Sequence, residues 1–360
     1  MRKKLILVNA LIAIMLSGCG ANKTENDVVN SGVTATETDA VAEYTSTAFP
    51  DYYNGTDGIV TFECEVIAPS EVRITSCKAE EIEVDNEINA QKLLENREVL
   101  STTEYDEVEL VAYNLINDGL LNYSPQGITL MEYDSRYISI CLGDEDEGYN
   151  GDKFQSYVDY DFATAEDTRQ ELVELLRGIT GQQEFEVHSF VLDADTMNEE
   201  YVTLSENPEI QNYTFTEEHN GYYFAATQSV QGLPVFSRLN GVMFTENDAN
   251  APIHAYYNKY GLRFLDVQTD ELFEFEIGED VLELKNFDEI AATVNDYYNK
   301  LVTDSTYEVY RATLYEYVSI GGKVTPVWIF KTFENKSDEY QHCVQLEINA
   351  VTGEVFTAND

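Results

Sequence analysis

Residues 286–301 read NFDEIAATVNDYYNKL, and this stretch decides the fold of the C-terminal part of the chain. Asn286 followed by Glu289 forms a capping box, which marks the first turn of a helix. Five apolar residues recur at helical spacing and predict one buried face: Phe287, Ile290, Val294, Tyr297 and Leu301. A helix with one apolar face has to bury that face against a sheet or another helix.

The sequence around this helix has the patterns of β-strands. Three strands are predicted after it, at 307–320, 324–330 and 341–349. Before it, Asn220-Gly221 predicts a hairpin between strands at 212–219 and 222–230. Because several strands accompany a single helix, this part of the chain is predicted to be an antiparallel α+β domain.

The N-terminal half has weaker patterns of the same kind. Alternating apolar residues predict a strand at 60–66, and a second strand at 72–77 completes a predicted hairpin. A weakly amphipathic helix is predicted at 85–100. Thr164 is placed to cap a further helix that ends at Gly178 or Gly181.

Together these patterns predict an α+β protein with two domains of mainly antiparallel sheet packed with a few helices. The N-terminal domain is predicted at 59–183 and the C-terminal domain at 184–360. The boundary falls in the short polar segment that follows the helix capped by Thr164.

The chain is strongly acidic. It has 360 residues with 67 Asp and Glu against 21 Lys and Arg, a formal net charge of -46. A polyanion of this size repels phosphate backbones, which excludes nucleic-acid binding as a function, and it also repels anionic membrane surfaces. With 43% hydrophobic residues the chain can still build ordinary cores.

The N-terminus has the pattern of an export signal. Met1 to Lys4 is cationic, an apolar run extends from Leu5 to Leu16, and small residues follow. The sequence Leu16-Ser17-Gly18-Cys19 resembles the lipobox of bacterial lipoproteins. That resemblance implies a signal peptide at 1–18, cleavage before Cys19 and a lipid attached to the Cys19 sulfur. The membrane would then be a partner through this lipid, with the protein on its extracytoplasmic face.

Residues 19–58 are rich in Thr, Ser, Asn, Asp and Glu and contain few large apolar side chains. Such a composition cannot bury enough surface to fold, so this segment is predicted to be a flexible tether between the lipid and the first domain.

The remaining cysteines are Cys64, Cys77, Cys141 and Cys343. An even number in an exported protein permits disulfides with three connectivities. Cys64 and Cys77 flank the predicted N-terminal hairpin and are the predicted pair, with free buried thiols as the alternative. Their spacing does not match a zinc site.

The sequence contains no pattern that identifies a catalytic or metal site. The four histidines lie far apart, and the nucleophile and phosphate-loop motifs are missing. Asp193-Ala-Asp195 and the acidic run 144–147 could hold calcium or act as paired carboxylates. In a chain with 67 acids, a solvated surface is the expected reason for such clusters. No catalytic residue, metal or cofactor is therefore predicted.

The C-terminal half resembles a known group of modules. Gln231-Gly232-Leu233-Pro234-Val235, Pro326-Val327-Trp328 and the ending Asn349-Ala350-Val351-Thr352-Gly353-Glu354-Val355 are similar to PepSY-type and sensor-kinase-regulator modules of Gram-positive extracytoplasmic proteins. The chain also resembles an uncharacterised family of Gram-positive lipoproteins with this ending. The resemblance implies a non-catalytic module that binds or restrains another protein of the cell envelope.

The predicted function is therefore that of an extracytoplasmic lipoprotein with a protein-binding or regulatory role. The alternatives are a surface hydrolase that uses two carboxylates and a solute-binding component of a transporter.

Overall fold

The computed structural model describes residues 47–132, 143–144, 148–149, 154, 158–181, 184–203, 213–236, 251–335 and 341–356. The helices in these ranges are α1 (Asn86–Leu94), α2 (Ala165–Thr180), α3 (Ala194–Thr203) and α4 (Phe287–Asn299). The first nine strands are β1 (Tyr52–Asp57), β2 (Val60–Ile67), β3 (Ile74–Glu81), β4 (Val99–Tyr105), β5 (Leu110–Leu115), β6 (Leu120–Ser124), β7 (Gly127–Met131), β8 (Gly143–Asp144) and β9 (Gly148–Tyr149). The others are β10 (Glu184–Leu192), β11 (Gly221–Val230), β12 (Leu233–Phe236), β13 (Ile253–Asn258), β14 (Gly261–Gln268), β15 (Phe273–Leu282), β16 (Thr306–Val318), β17 (Val324–Asn335) and β18 (Gln341–Asn349).

The architecture is α+β, with strands dominating and few helices. Fourteen described strands form one sheet in the order β1-β2-β16-β12-β11-β13-β14-β7-β6-β5-β4, with β10 beside β11 and with β17 and β18 continuing from β16. Most neighbours are antiparallel, but β16 runs parallel to both β2 and β12. β3 and β15 form a separate two-stranded ribbon.

Two large apolar clusters hold this sheet. The first lies under α1 and α2, and every one of its residues falls between Ile82 and Leu272. The second lies under α4, and apart from Leu233 its residues come from two distant parts of the chain, 49–74 and 282–351. The second cluster therefore depends on strands from both ends of the chain.

The fold begins earlier than the sequence indicates. Phe49 packs edge-on against the buried ring of Trp328, with ring centroids 5.0 Å apart. Tyr53 of β1 contacts the rings of Phe62 and Phe287 in the same way. Because these aromatic contacts belong to the second cluster, residues from Thr47 to 58 are part of the folded unit, and the predicted tether up to 58 is too long.

The helix ends that the sequence marks are correct. Thr164 precedes α2 and its hydroxyl accepts a hydrogen bond from the Asp167 amide, and Gly181 ends the helix in a left-handed conformation. Asn286 caps α4 by accepting from the Glu289 amide. The strand predicted at 341–349 coincides with β18.

The buried face of α4 differs slightly from the prediction. Phe287, Ile290 and Val294 are buried as expected, but Tyr298 takes the place of Tyr297, which is 39% exposed. Leu301 lies beyond the end of the helix and is 40% exposed. The helix stops at Asn299, so the last predicted repeat of the apolar face is never formed.

Both predicted hairpins are wrong. β2 pairs with β1 and β16, whereas β3 pairs with β15. Asn220-Gly221 is not a turn, because Glu217–His219 form a short 3-10 turn and Gly221 already lies in β11. At Gly221 an added Cβ would collide with the Tyr257 carbonyl, so this glycine permits close strand approach instead of a turn.

The helix predicted at 85–100 is shorter than expected and ends at Leu94. Val99 and Leu100 already belong to β4. β7 pairs with β6 and β14.

The predicted boundary between 183 and 184 does not divide the hydrogen-bonded sheet. β7, β2 and β3 precede this boundary, and they pair with β14, β16 and β15, which follow it. The chain crosses between the two clusters near Glu81 and Phe273, which face each other across the β3–β15 ribbon.

Candidate functional site

The short strand β12 joins two parts of the large sheet: the strands around β16 on one side and the strands around β11 on the other. It pairs antiparallel with the end of β11 through Val230 and Leu233, and parallel with β16 through Val235 and Glu316. The left-handed residues Gln231 and Gly232 form the tight turn that returns the chain along β11. β12 is only four residues long, and three of its residues, Pro234, Val235 and Phe236, line a cavity.

This cavity has a volume of about 70 Å³ and is lined by side chains from both parts of the sheet. The apolar part of the wall comes from Ile67, Ala225, Ala226, Pro234, Val235, Phe236 and Ala251. The polar part comes from Glu186, His188, Thr227, Thr313, Tyr315 and Lys331. A mostly apolar cavity with a few convergent polar groups is the usual form of a small-molecule site.

Two of the polar groups are buried. Lys331 is 4% exposed and Thr313 is 5% exposed, and the Thr313 hydroxyl has no hydrogen-bond partner. At the rim, the exposed His188 Nε2 lies 3.3 Å from the Glu186 carboxylate. The Thr227 hydroxyl donates to the Val235 carbonyl at 2.7 Å, which holds β12 against β11. The cavity thus has a cation and a hydroxyl inside and an acid at its entrance.

Behind the cavity, on the opposite face of β16, lies a buried carboxyl group. Glu316 is 1% exposed and neither of its carboxylate oxygens has a hydrogen-bond partner. Burial raises the pKa of Glu316 to about 8, so the group is mostly protonated at neutral pH. A carboxyl group kept neutral in this way can store or release a proton.

A second set of polar side chains lies side by side on the neighbouring strands β13, β14 and β7. His254 lies opposite Asp266, and Asp266 lies opposite Thr129, so the three side chains share one face. The Tyr223 ring packs 5.8 Å from the His254 ring. Burial holds the pKa of Asp266 well above its ordinary value and favours a neutral acid beside the histidine.

The cysteine prediction is corrected by the structure. Cys64 and Cys77 are both free and buried, and no disulfide joins them. Cys64 lies in the cluster under α4, whereas Cys77 lies in a small cluster between the β3–β15 ribbon and β12. Their strands do not pair, which removes the reason for expecting a bridge. Burial raises the pKa of Cys64 to about 12 and that of Cys77 to about 11, so neither thiol is readily ionised.

The acid pairs do not form a site among the residues that the structure describes. Asp193 is a helix cap, since its carboxylate accepts from the Thr196 amide and hydroxyl at 2.9 and 2.8 Å. The run 144–147 lies largely outside the described residues. Within the described ranges, no group of three or more His, Cys, Asp or Glu side chains could hold a metal ion.

The lipobox residues Leu16, Ser17, Gly18 and Cys19 also lie outside the described residues. None of the described helices is both long enough and apolar enough to cross a membrane.

A third feature is the edge that β4 forms among the described strands of the sheet. All seven residues of β4 are exposed, and the strand ends the sheet order beside β5. Leu100 is 62% exposed and Tyr105 is 51% exposed. An edge strand with unpaired backbone groups and exposed apolar side chains is a template on which a second chain can add a strand.

The comparisons with known proteins show the fold but not a family. No family model matches the sequence, and no curated protein matches it. A similar fold occurs in the crystal structure of an uncharacterised protein from Eubacterium rectale, with a TM-score of 0.62 and 15% sequence identity. The alignment covers 86% of this chain and 94% of that chain, so the likeness extends over both parts of the sheet.

Proposed function

We propose that the chain is an extracytoplasmic lipoprotein, held at the cell membrane by a lipid on Cys19, whose folded part binds another protein of the cell envelope. The sequence Leu16-Ser17-Gly18-Cys19 behind a short apolar run supports the anchor. About 28 residues separate Cys19 from Thr47. If they form the predicted tether, the typical distance between the lipid anchor and the folded part is ~30 Å.

The observation that carries the binding role is the exposed edge strand β4. A partner that adds a strand there would satisfy the outer backbone groups of β4 and cover Leu100 and Tyr105. Soluble proteins usually protect such edges with charged residues or with a covering segment. β4 has a single charged residue, Glu104, so its apolar side chains remain available for contact.

The binding role is tested by photo-crosslinking on intact cells. A photoreactive amino acid at Thr102, in the middle of β4, should capture one discrete membrane or wall protein. The same amino acid at Val302, which is fully exposed outside the strands, is the matched control. Leu100→Lys should reduce the captured product. Identical products from both positions, or no product from Thr102, would contradict the proposal.

The anchor is tested separately by cell fractionation. Cys19→Ala should move the protein out of the membrane fraction or leave the signal uncleaved. Cys64→Ala, which changes a cysteine inside the fold, should leave the distribution unchanged. A membrane fraction that is the same for both variants would refute lipid attachment at Cys19.

We also propose that the two apolar clusters correspond to two structural domains, and that the one under α4 is the PepSY-like module. This division places residues 82–272 in one domain and the segments on either side of them in the other. The module then includes the N-terminal strands β1 and β2, which the sequence motifs do not cover, and it leaves out the Gln231–Val235 motif, which lies in the other domain.

A further inference from the structure

The cavity beside β12 has an unusual interior for so acidic a protein. Lys331 is one of 21 basic residues in the chain, yet it is almost completely buried. A buried ammonium keeps three donors, so it can serve a protein acceptor and a ligand in the cavity at the same time. The hydroxyl of Thr313 is buried beside the same cavity without a hydrogen-bond partner, which is a cost that a ligand atom could remove.

The register of the sheet brings these two groups to one place. Thr313 of β16 lies opposite Ile329 of β17, and Lys331 is two residues further along β17. Alternate residues of a strand point to the same face, so Thr313 and Lys331 share the face that lines the cavity. Diagonal neighbours of this kind are ~7–8 Å apart at the backbone, a distance that one small group can bridge with two contacts.

The remaining walls limit what can enter. One water-sized sphere occupies ~10–15 Å³. A cavity of about 70 Å³ therefore has room for a group of a few heavy atoms. Much of the wall is apolar, including Ala225, Val235 and Phe236. A phosphate group has more oxygens than two donors can satisfy, and unsatisfied charged oxygens against apolar walls are costly. A carboxylate has two oxygens and can be joined to a short apolar chain.

We propose that this cavity binds the carboxylate of a small, partly apolar organic acid. The Lys331 ammonium and the Thr313 hydroxyl donate to the two carboxylate oxygens, and the short carbon chain lies against the apolar wall. An ammonium has three donors, so Lys331 can serve the ligand and a protein acceptor together. Glu186 at the rim disfavours larger anions that would extend past the entrance. This site is independent of the lipid anchor and of strand β4.

The test is saturation-transfer NMR on the purified full-length chain with propionate as the probe. Propionamide has nearly the same shape without the charge and is the matched control ligand. We expect saturation of the propionate methyl signal with a dissociation constant in the millimolar range, and at least tenfold weaker binding of propionamide. Equal binding of the two compounds, stronger binding of inorganic phosphate in competition, or no transfer to propionate would each overturn the proposal.

Three variants locate the site. Lys331→Met keeps the aliphatic stem and removes the charge, and it should weaken propionate binding at least tenfold. Thr313→Val keeps the shape and removes the hydroxyl, and it should weaken binding about threefold to tenfold, which is ~1 kcal/mol for one hydrogen bond. Thr332 is the buried residue that follows Lys331 on β17, and its side chain lies on the opposite face of the strand. Thr332→Val should therefore leave propionate binding unchanged.

Near-ultraviolet circular dichroism shows whether each variant keeps its packing. If Lys331→Met fails to fold, Thr313→Val decides the outcome alone. Unchanged propionate affinity in a folded Thr313→Val variant would then overturn the assignment.

Discussion

Replacing Glu316 by glutamine should stabilise the protein near neutral pH and remove part of its pH dependence. In the folded chain the carboxyl is buried without a hydrogen-bond partner, and its pKa is raised from 4.5 to about 8. In the unfolded chain the same group ionises near its ordinary value. Between these two pH values the unfolded state has lost a proton that the folded state still holds, so stability falls as the pH rises.

The size of the effect follows from the separation of the two pKa values. The difference is about 3.5 pH units, and each unit corresponds to about 1.36 kcal/mol. The free energy of unfolding of the wild type should therefore lose on the order of 5 kcal/mol relative to the Glu316→Gln variant between pH 4.5 and 8. Below pH 4.5 both states are protonated and above pH 8 both are ionised, so the contribution is flat outside that window.

Urea unfolding at half-unit steps from pH 4 to 9 measures this difference directly. Subtracting the two stability curves cancels the other acidic groups, which both proteins share. Glu308→Gln, on the same strand but only half-buried, is the matched control and should give a much flatter difference. A Glu316→Gln curve that runs parallel to the wild type from pH 4.5 to 8 would refute the assignment of a neutral, raised-pKa carboxyl.

Two further predictions concern the helix cap and the thiols. Asn286→Ala should lower the free energy of unfolding by about 1 kcal/mol, because the Glu289 amide loses its acceptor, whereas Asn286→Asp should retain the cap; urea unfolding of the two variants checks this. Cys64 and Cys77 should resist iodoacetamide at pH 8 in the native protein and react fully after unfolding without a reductant. Mass spectrometry reads the labelling, and a requirement for reductant would indicate a disulfide after all.

The sequence predicted local features well wherever one side chain or one period determines the structure. The caps at Thr164 and Asn286 are short-range hydrogen bonds, so neighbouring residues suffice to identify them. Strand β18 has alternating apolar residues, and the turn residues that follow it mark the same C-terminal end. The two wrong hairpins have the opposite cause. β2 is adjacent in sequence to β3 but pairs with β16, about 240 residues away, and no local pattern encodes that choice.

The candidate cavity was missed for a related reason. Thr313, Glu316 and Lys331 lie in two strands whose many apolar residues indicate only a buried core, and a polar residue within such a pattern does not by itself indicate a site. A charged residue inside a long apolar strand was the available signal, since burying a charge is costly unless it has a partner or a function. The convergence of Thr313 and Lys331 with His188 and Phe236 depends on β12, a strand of four residues that no periodicity could place.

The last prediction concerns how the chain divides. Glu81 and Phe273 face each other across the β3–β15 ribbon, so residues 82–272 leave and rejoin the rest of the fold at one point. The cluster under α4 loses only Leu233 when that segment is removed. A chain of residues 47–81 and 273–356, joined by an Asn-Gly turn, should therefore unfold cooperatively in urea. Residues 184–360 alone should not, because they lack Val60, Phe62 and the rest of β2, which runs parallel to β16. Cooperative unfolding of 184–360 alone would show that β1 and β2 are dispensable. The N-terminal strands would then be an addition to the C-terminal module and not a part of its core.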